Sequence, residues 1–439
     1  MFQFYHGPDQ CYIRGKALLL SPPGGSYDRP GAAPGRLTLR RIRYSVKENK
    51  LMNSYILRKE CLRIMTIFKP RVALISRYYF PNVVGGVENT VANLGNELEK
   101  KGYRITVLTQ SQDRFLESEF LKISTLSVSY LKSFLFEPIS TFRSFEVIHI
   151  HNYTRLITDK LLTDRHFSET PRVILTLHGG LWGVGSLPNS VGKTVKILHD
   201  KLFPKVLINE FVDKVVALSQ EEKMHLKLLG VEESKIEIIP NGVPDSYFNE
   251  PTIVDNPAPL MAGDSYVLTL ARLDPLKRLE DVIVNLKYLP TTFKYVIAGS
   301  GSEIYKRKLL NLIEELGLCS RVLFLGTVSG SHKHALIKNC AFFVLPSSIE
   351  TQSIAVMEAM ALAKPVICTN VGSMKELITD GVTGFLYESG DIVSLREKMQ
   401  LLINDKQESY MLGKRAREAV GEYRWSKVAE RYGLIYSHI

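Results

Sequence analysis

Short apolar runs alternate with helix-length segments along most of this 439-residue chain. Residues 72–76 form the first run of buried-strand length. The next segment carries Gly102 as a suitable helix end, after apolar residues at helical spacing, namely Val87, Val91, Leu94 and Leu98. A second apolar run at 104–109 completes a strand–helix–strand unit, which is typical of a parallel sheet.

The same alternation continues to the end of the chain. Runs of Val, Ile and Leu predict further strands at 147–151, 173–178, 214–219 and 236–239, and, after a polar, proline-rich stretch, near 266–271, 294–298, 321–325, 342–346 and 365–369. Continuous apolar strands separated by helices indicate parallel sheets that are covered on both faces. We therefore predict an α/β protein with two Rossmann-like, doubly wound parallel-sheet domains facing each other across a cleft. Ligands of such sheets bind beyond the carboxyl ends of the strands.

The positive charge of the chain is concentrated near its beginning. The formal net charge is +11, but residues 1–70 hold 13 Lys and Arg against 4 Asp and Glu, and the rest holds 43 against 41. A nearly neutral body gives no reason to expect a nucleic-acid partner. Residues 1–65 mix Pro and Gly without a sustained period, so we predict a disordered basic extension. It is either sequence upstream of a true start at Met52 or Met65, or a basic arm for an anionic membrane.

Three other features bear on location and cofactors. The sequence has no run of about 18 to 20 apolar residues and no signal-peptide pattern, so we expect a cytoplasmic protein. Its five cysteines are scattered, without metal-site spacing, which predicts reduced thiols and no metal. Residues 193–213 interleave lysines with apolar residues. A solvated helix face is the simpler interpretation of this segment, and peripheral contact with the inner membrane face is the alternative.

Polar residues of the first half lie just after predicted strands. Gly85 and Gly86 precede a helix, where backbone N–H groups can approach a phosphate or sugar oxygen, although a tight turn alone would also favour glycine. His149 and His151 share one strand face, but no third residue nearby supports a metal site. His178 ends a strand before two glycines, which suits either a cleft-facing imidazole or a hydrogen-bonded structural residue.

Four charged residues of the second half also follow predicted strands. Arg272 and Lys277 can both point at one diphosphate, whose departure requires stabilised negative charge, although a solvated basic turn would look the same. Glu350 precedes a predicted helix, and Glu358 lies in its first turns. A carboxylate on an apolar helix is costly without a partner, and a ribose diol would provide one. The helix N–H groups near residue 353 can cradle a phosphate.

These motifs resemble those of the retaining glycosyltransferases with the GT-B fold, specifically family 4, from about residue 71 to the end. The most specific is Glu-x7-Glu, formed by Glu350 and Glu358 within PSSIETQSIAVMEAMA. Supporting motifs are GGVE at 85–88, TLHG at 176–179, IPNGV at 239–243, AGSG at 298–301 and GSMKE at 372–376. The family often has Gly-Phe-Gly after the first glutamate, whereas this chain has Thr351-Gln352-Ser353, which leaves the identity of the donor sugar open.

The resemblance implies an enzyme that moves a sugar from a UDP- or GDP-linked donor to a hydroxyl of a saccharide, lipid-linked or small-molecule acceptor. It implies retention of anomeric configuration and no metal or cofactor. The implied domains are an acceptor domain at 66–250 completed by a C-terminal helix at 422–439, a linker at 251–264 and a donor domain at 265–421. The implied catalytic residues are Glu350, His178, Lys277 and Arg272; the donor-binding residues are Arg272, Lys277, Gly86, Ser353, Ile354 and Glu358; and the acceptor-side residues are Gly85, Glu88 and His151.

Four other functions are compatible with the sequence. A sugar-nucleotide epimerase or a phosphorylase could use the same fold and the same donor site. A nucleotide-dependent oxidoreductase is suggested by AGSG at 298–301, but the third glycine of a dinucleotide-binding loop is missing. A catalytically inactive binding module is the fourth possibility, and the presence of both glutamates, the lysine and the arginine argues against it.

Overall fold

The computed structural model describes residues 11–13, 16–18, 69–76, 85–110, 120–123, 126–131, 142–152, 158–159, 162, 171–179, 205–249, 258 and 264–437. The chain divides into two units, Met1–Lys69 and Pro70–Ile439. In the first unit, strands β1 (Cys11–Ile13) and β2 (Lys16–Leu18) pair antiparallel. The rest of the extension predicted over 1–65, most of the predicted linker and residues 193–204 of the lysine-rich segment lie outside the described residues.

The first sheet of the second unit has eight strands, and all its neighbours pair parallel except β5 and β6. Its spatial order is β10-β9-β8-β7-β3-β4-β6-β5, with strands β3 (Arg71–Ser76), β4 (Arg104–Gln110), β5 (Phe120–Ile123), β6 (Leu126–Leu131), β7 (Val147–His151), β8 (Arg172–Thr176), β9 (Lys214–Ala217) and β10 (Ile236–Ile238). The sequence pattern did not predict β5 and β6. In β6 apolar residues alternate with serines, so this strand lacks the continuous apolar run that marks the others.

Helix α1 (Gly86–Lys100) follows β3 and covers one face of this sheet. Its predicted apolar stripe is buried, since Val91, Leu94 and Leu98 are inaccessible to solvent. The last helix, α10 (Trp425–Ser437), packs beside α1 in the same apolar cluster. Helix α2 (Gln220–Leu228) follows β9, and its Leu226 belongs to the apolar cluster on the other face of the sheet. The C-terminal end of the chain therefore completes the core around the first sheet.

The second sheet has six strands, all parallel, in the order β13-β12-β11-β14-β15-β16. They are β11 (Ser265–Leu270), β12 (Phe293–Ala298), β13 (Val322–Gly326), β14 (Phe342–Leu345), β15 (Val366–Thr369) and β16 (Phe385–Tyr387). The helices are α3 (Glu280–Leu286), α4 (Glu303–Glu315), α5 (Gly330–Asn339), α6 (Ile354–Ala361), α7 (Met374–Leu377), α8 (Ile392–Asn404) and α9 (Lys406–Val420). Separate apolar cores lie on the two faces of this sheet, which confirms the predicted doubly wound α/β architecture.

Within the part of the chain that the structure describes, no helix combines the length and the apolar character needed to span a bilayer.

Candidate active site

Two helix N-termini, one from each sheet, meet across the cleft. A Cβ atom built on Gly86, the first residue of α1, would lie 3.9 Å from Cδ1 of Ile354, the first residue of α6. A Cβ atom on Gly179, directly after His178, would lie 3.0 Å from Cγ2 of Thr351. The structure thus brings together residues that are more than 170 positions apart in the sequence. Both helix starts have N–H groups without intrahelical partners and a dipole that favours an anion, and at α1 the Glu88 carboxylate meets part of this need.

The loop from β14 to α6 is held against the turn that follows β11. Ser353 caps α6 by accepting a hydrogen bond from the Val356 N–H at 3.4 Å. Ser348 donates through its N–H and its hydroxyl to the Leu276 carbonyl, at 2.8 and 3.1 Å. As a result Lys277 Nζ lies 2.6 Å from Glu350 Oε2, and each side chain is about 15% exposed. Two of the predicted site residues are therefore partners of each other.

Arg272 lies on the same edge of the sheet as Lys277 but differs from it in exposure and in hydrogen bonding. Its side chain is exposed, and the described residues provide no ion pair or hydrogen bond for its guanidinium. The backbone around it is set by two glycines of the AGSG motif. A Cβ on Gly299, whose φ is +147°, would lie 1.9 Å from the Ala271 carbonyl oxygen, and a Cβ on Gly301 would lie 2.4 Å from that of Leu273. These glycines permit close backbone packing, which accounts for them without a dinucleotide.

Arg278 shows how a neighbouring cation can be purely structural. Its Nε and NH2 atoms donate to the two carboxylate oxygens of Asp281 at 2.8 and 3.0 Å. This bond and the charge of Asp281 hold the pKa of the guanidinium above its usual value. Of the three basic residues in this turn, Arg278 is therefore occupied by an ion pair within its own domain, and Lys277 and Arg272 remain as candidate phosphate ligands.

Glu358 has a protein partner that the sequence pattern did not reveal. Its carboxylate is buried on α6, and Lys333 Nζ from α5 lies 2.6 Å from it. Burial raises the pKa of Glu358, whereas Lys333 and Tyr247 oppose that shift. The pair borders a cavity of about 570 Å³ that is also lined by residues of α1, including Asn89 and Asn93. A lysine on an ordinary amphipathic helix gives no sequence signal of such a contact.

Glu88 faces the start of its own helix. Burial raises the pKa of its carboxyl group, and the backbone amides of Glu88 and Gly85 partly offset this shift. A Cβ atom on Gly85 would lie 2.5 Å from Glu88 Oε2, so a larger residue there would have to displace the end of the Glu88 side chain. The carboxylate thus satisfies helix N–H groups, and its role on the acceptor side stays a prediction.

Three histidines form a stack that reaches the cleft from the core. His149 is bonded to the Tyr436 hydroxyl at 2.7 Å and to the Thr176 hydroxyl at 2.8 Å. The rings of His149 and His151 are 4.0 Å apart, and His151 Nδ1 lies 3.1 Å from His178 Nε2. The prediction that His149 and His151 share one strand face is confirmed. Burial lowers the pKa of all three rings, that of His178 to about 4, so they are neutral at pH 7.

The turn that carries His178 is anchored by Glu222. This fully buried carboxylate accepts hydrogen bonds from the Gly179 N–H at 3.2 Å and from the Leu218 N–H at 2.6 Å. His178 itself has a φ of +48°, a conformation that non-glycine residues rarely adopt. Glu222 thus helps to hold a strained backbone beside the cleft. The sequence carries no signal of this role, because Glu222 follows Gln220 and Glu221 at an ordinary acidic helix start.

Two hydrogen-bonded contacts join the sheets beside the cleft. The Asn241 N–H donates to Gln352 Oε1 at 2.6 Å. The carboxylate of Glu376 accepts from the N–H groups of Gln220 and Glu221, the first residues of α2, at 2.9 and 3.1 Å. Gln352 belongs to the Thr351-Gln352-Ser353 segment, which differs from the usual Gly-Phe-Gly of the family. Neither a glycine nor a phenylalanine side chain could accept this hydrogen bond. The contact ties the loop before α6 to the first sheet.

The histidine stack predicts a loss of stability in mild acid. Because the folded pKa of His178 is about 4 and its ordinary value is 6.5, the unfolded chain binds more protons between these values. The free energy of unfolding, measured with urea, is therefore expected to fall as the pH drops from about 6.5 to about 4. His178→Asn, which tolerates a positive φ, should show a smaller fall. An equally steep fall in the variant would contradict this assignment.

Among the residues that the structure describes, no group of three or more His, Cys, Asp or Glu side chains is placed to hold a metal ion.

Comparison with known proteins assigns the family. Residues 84–247 match the family model described as Glycosyltransferase Family 4, and residues 255–419 match the model described as Glycosyl transferases group 1. The chain belongs to glycosyltransferase family 4. Among the relatives of this family 4 glycosyltransferase, N-acetyl-alpha-D-glucosaminyl L-malate synthase of Bacillus anthracis is 25% identical over 377 residues, which are 81% of this chain and 94% of the relative.

Solved structures agree on the fold of the family 4 chain. Sucrose-phosphate synthase from Thermosynechococcus elongatus superposes with a TM-score of 0.70 at 20% identity, over 84% of this chain and 99% of that one. HepE of Anabaena in complex with UDP-glucose superposes with a TM-score of 0.68 at 18% identity, over 84% of this chain and 100% of that one. The predicted GT-B fold is thus confirmed.

Proposed function

We propose that this glycosyltransferase is a retaining enzyme that uses a nucleoside-diphosphate sugar as donor and a hydroxyl group as acceptor. The observation that carries the proposal is the meeting of the α1 and α6 N-termini, with Lys277 held against Glu350 on the loop that leads into α6. Helix N–H groups and an ammonium group are the ligands that a diphosphate requires. HepE, a structural relative, binds UDP-glucose, which supports a donor of this class.

Lys277 and Arg272 have the roles of phosphate ligands in this proposal. Lys277 exchanges its contact with Glu350 for the diphosphate, and the exposed Arg272 turns toward the same group. Ser353, Ile354 and Gly86 supply backbone N–H groups at the two helix starts. These fixed positive groups stabilise the charge that develops on the leaving phosphate, which is a large term in catalysis.

The sugar-binding part of the site lies between Glu350 and His178. Released from Lys277, the Glu350 carboxylate accepts hydrogen bonds from the hydroxyl groups of the transferred sugar. His178 directly precedes Gly179, which packs against Thr351. The neutral ring of His178 can donate or accept a hydrogen bond. Glu358 binds the ribose hydroxyls, and Gly85, Glu88 and His151 border the acceptor. We assign the acceptor to residues 66–250 with 422–439, and the donor to 265–421.

The transfer step breaks the bond between the anomeric carbon and the β-phosphate oxygen. The electron pair of that bond stays on the phosphate oxygen, where Arg272, Lys277 and the helix N–H groups stabilise it. The acceptor oxygen forms the new bond on the same face of the sugar. Its proton passes to the departing phosphate oxygen, so charge is conserved. Because the new bond forms on the face that the leaving group vacates, the anomeric configuration is retained. The acceptor is a saccharide, a lipid-linked saccharide or a small molecule with a free hydroxyl.

The donor class can be tested by thermal unfolding of the full chain with UDP, GDP or ADP, and then with the corresponding sugars. A ligand that binds only the native state stabilises it by an amount that grows with the logarithm of one plus the ratio of free ligand concentration to Kd, so one nucleotide should stand out by its effect on the Tm. NMR of the product formed with an acceptor should show the anomeric configuration of the donor. Inverted product, isomerisation of the donor without acceptor, or cleavage that requires inorganic phosphate would each overturn the proposal.

A further inference from the structure

Glu358 lies in surroundings that do not favour an ionised carboxylate. It is 4% exposed, and its neighbours on α6, Met357, Ala359, Met360 and Ala361, are inaccessible to solvent. A buried carboxylate without a partner takes up a proton at neutral pH. A protonated carboxyl group accepts fewer hydrogen bonds from the hydroxyl groups of a ligand than a carboxylate does. The function of this position therefore depends on what keeps the group charged.

Lys333 is the cation that meets this need. Its Nζ lies 2.6 Å from both carboxylate oxygens of Glu358, but the hydrogen-bond geometry is satisfactory only at Oε1. Within the described residues, no hydrogen bond of good geometry reaches the buried Oε2 atom, although the Tyr247 hydroxyl is close enough for hydrogen bonding with Glu358 to help lower the pKa of that carboxyl group. The arrangement leaves one oxygen of an ionised carboxylate able to accept further hydrogen bonds. Both side chains border the cavity of about 570 Å³ between α1 and α5.

The other polar groups around this pair do not replace the lysine. Tyr247 faces the carboxylate from the turn Asp245–Phe248. Burial raises the pKa of its hydroxyl group most, and the charge of Glu358 and hydrogen bonding with it raise that pKa further. The ring of His334 meets the ring of Tyr247 edge-on, with the ring centroids 5.1 Å apart. Burial lowers the pKa of His334 most, and the positive charge of Lys338 lowers it further. Arg417 of α9 donates to backbone carbonyl groups of Ala361 and Phe248. Lys333 is thus the only one of these groups that brings a positive charge to the carboxylate.

We propose that Lys333 is a positioning residue that keeps Glu358 ionised and turned so that its Oε2 atom accepts hydrogen bonds from a hydroxyl pair of the donor nucleotide. The inference rests on the proposed function, because it assigns a nucleotide sugar to the cavity. It adds a residue of α5 to the site, one helix away from the Glu-x7-Glu segment. Lys333 acts on the donor through Glu358, and donor binding should therefore depend on the protonation of that carboxyl group.

The test compares Lys333→Met with the unchanged enzyme between pH 6 and 9. Without the lysine, the pKa of Glu358 rises further, so the donor KM should increase at least about tenfold at pH 6.5 and return toward the normal value as the pH rises. The kcat should change much less than the KM. Lys333→Arg should restore most of the donor affinity, and Lys338→Met, on the exposed side of the same helix, should have no effect.

A double variant separates this role from a direct contact with the donor. Glu358→Gln mimics the protonated group, so its donor KM should be high and independent of pH. Adding Lys333→Met to Glu358→Gln should then change little. A pH-independent rise in KM for Lys333→Met, or a further large loss in the double variant, would overturn the proposal in favour of direct contact. An unchanged KM would overturn it as well.

Urea unfolding tests the same idea without a substrate. Burial already raises the pKa of Glu358 in the unchanged enzyme, so stability is greatest below the unfolded pKa and is lost as the pH rises through the folded one. In Lys333→Met the folded pKa rises further, so this loss should be larger and extend to a higher pH than in the unchanged enzyme. Glu358→Gln in the same background should remove this loss, and its persistence would refute the inference. If the unchanged enzyme binds no nucleotide sugar but the unfolding result holds, the proposed donor fails while the link between Lys333 and Glu358 stands.

Discussion

Lys277→Met is expected to lower kcat/KM for glycosyl transfer by about 10² to 10³, the cost of removing one preorganised group that stabilises developing negative charge. The ammonium group lies 2.6 Å from Glu350 and beside the loop that leads into α6, where the diphosphate is proposed to bind. The departing phosphate gains charge as the sugar bond breaks. The main loss should therefore appear in kcat, as steady-state kinetics at saturating donor can measure.

Two control variants make this result interpretable. Lys308→Met removes an exposed lysine from α4, away from the cleft edge, and should leave the rate unchanged. Lys277→Met also leaves Glu350 without its partner, so the double variant with Glu350→Gln should regain stability but not activity. Near-normal turnover of Lys277→Met with a folded protein would remove Lys277 from the proposed mechanism.

Gly372→Ala is expected to lower the free energy of unfolding by about 3 kcal/mol or more and to raise the donor KM sharply. Gly372 has a φ of +57°, and a Cβ atom on it would lie 1.6 Å from the Glu350 carbonyl oxygen. The neighbouring Ser373 N–H donates to the Thr351 carbonyl at 3.2 Å. The added methyl group must displace the backbone of the loop that carries Glu350, because the contacting atom belongs to the main chain.

Gly381→Ala is the matched control for this prediction. Gly381 also has a positive φ, +72°, but a Cβ atom there would meet nothing within 4 Å. Its loss of stability should be limited to the conformational term, about 1 to 2 kcal/mol, and its kinetics should be normal. Equal losses for the two variants, measured by urea unfolding, would show that the contact with Glu350 is unimportant.

The central strands and the cleft edge could be predicted from the sequence because they depend on local patterns. Buried parallel strands read as continuous apolar runs, and β7 occupies the predicted residues. The helix start at Gly86 and the positions of Glu350 and Glu358 follow from glycine and from the boundaries of apolar runs. Strand β16 was not predicted, because its three residues stand between Gly384 and Glu388 with no further apolar residue to extend the run.

The pairing of charges could not be predicted, since it depends on contacts between distant elements. Lys333 and Glu358 are 25 positions apart on two helices, and Glu222 and Gly179 are 43 positions apart. The helical spacing of each residue places it on a face of its own element, but not against a particular neighbour. Glu358 illustrates this limit. From the sequence, a ribose diol was the expected partner of its carboxylate, whereas the fold also places Lys333 beside it.

The contact of Glu376 with the start of α2 has a consequence for movement of the cleft. Its carboxylate occupies, within one chain, the kind of site that a helix start offers to a phosphate. Separating the two sheets would strip the Gln220 and Glu221 amides of this anion and return both partners to water. Helix-end electrostatics of this kind are screened by salt. The strength of this contact between the two sheets is thereby coupled to the ionic strength around the enzyme.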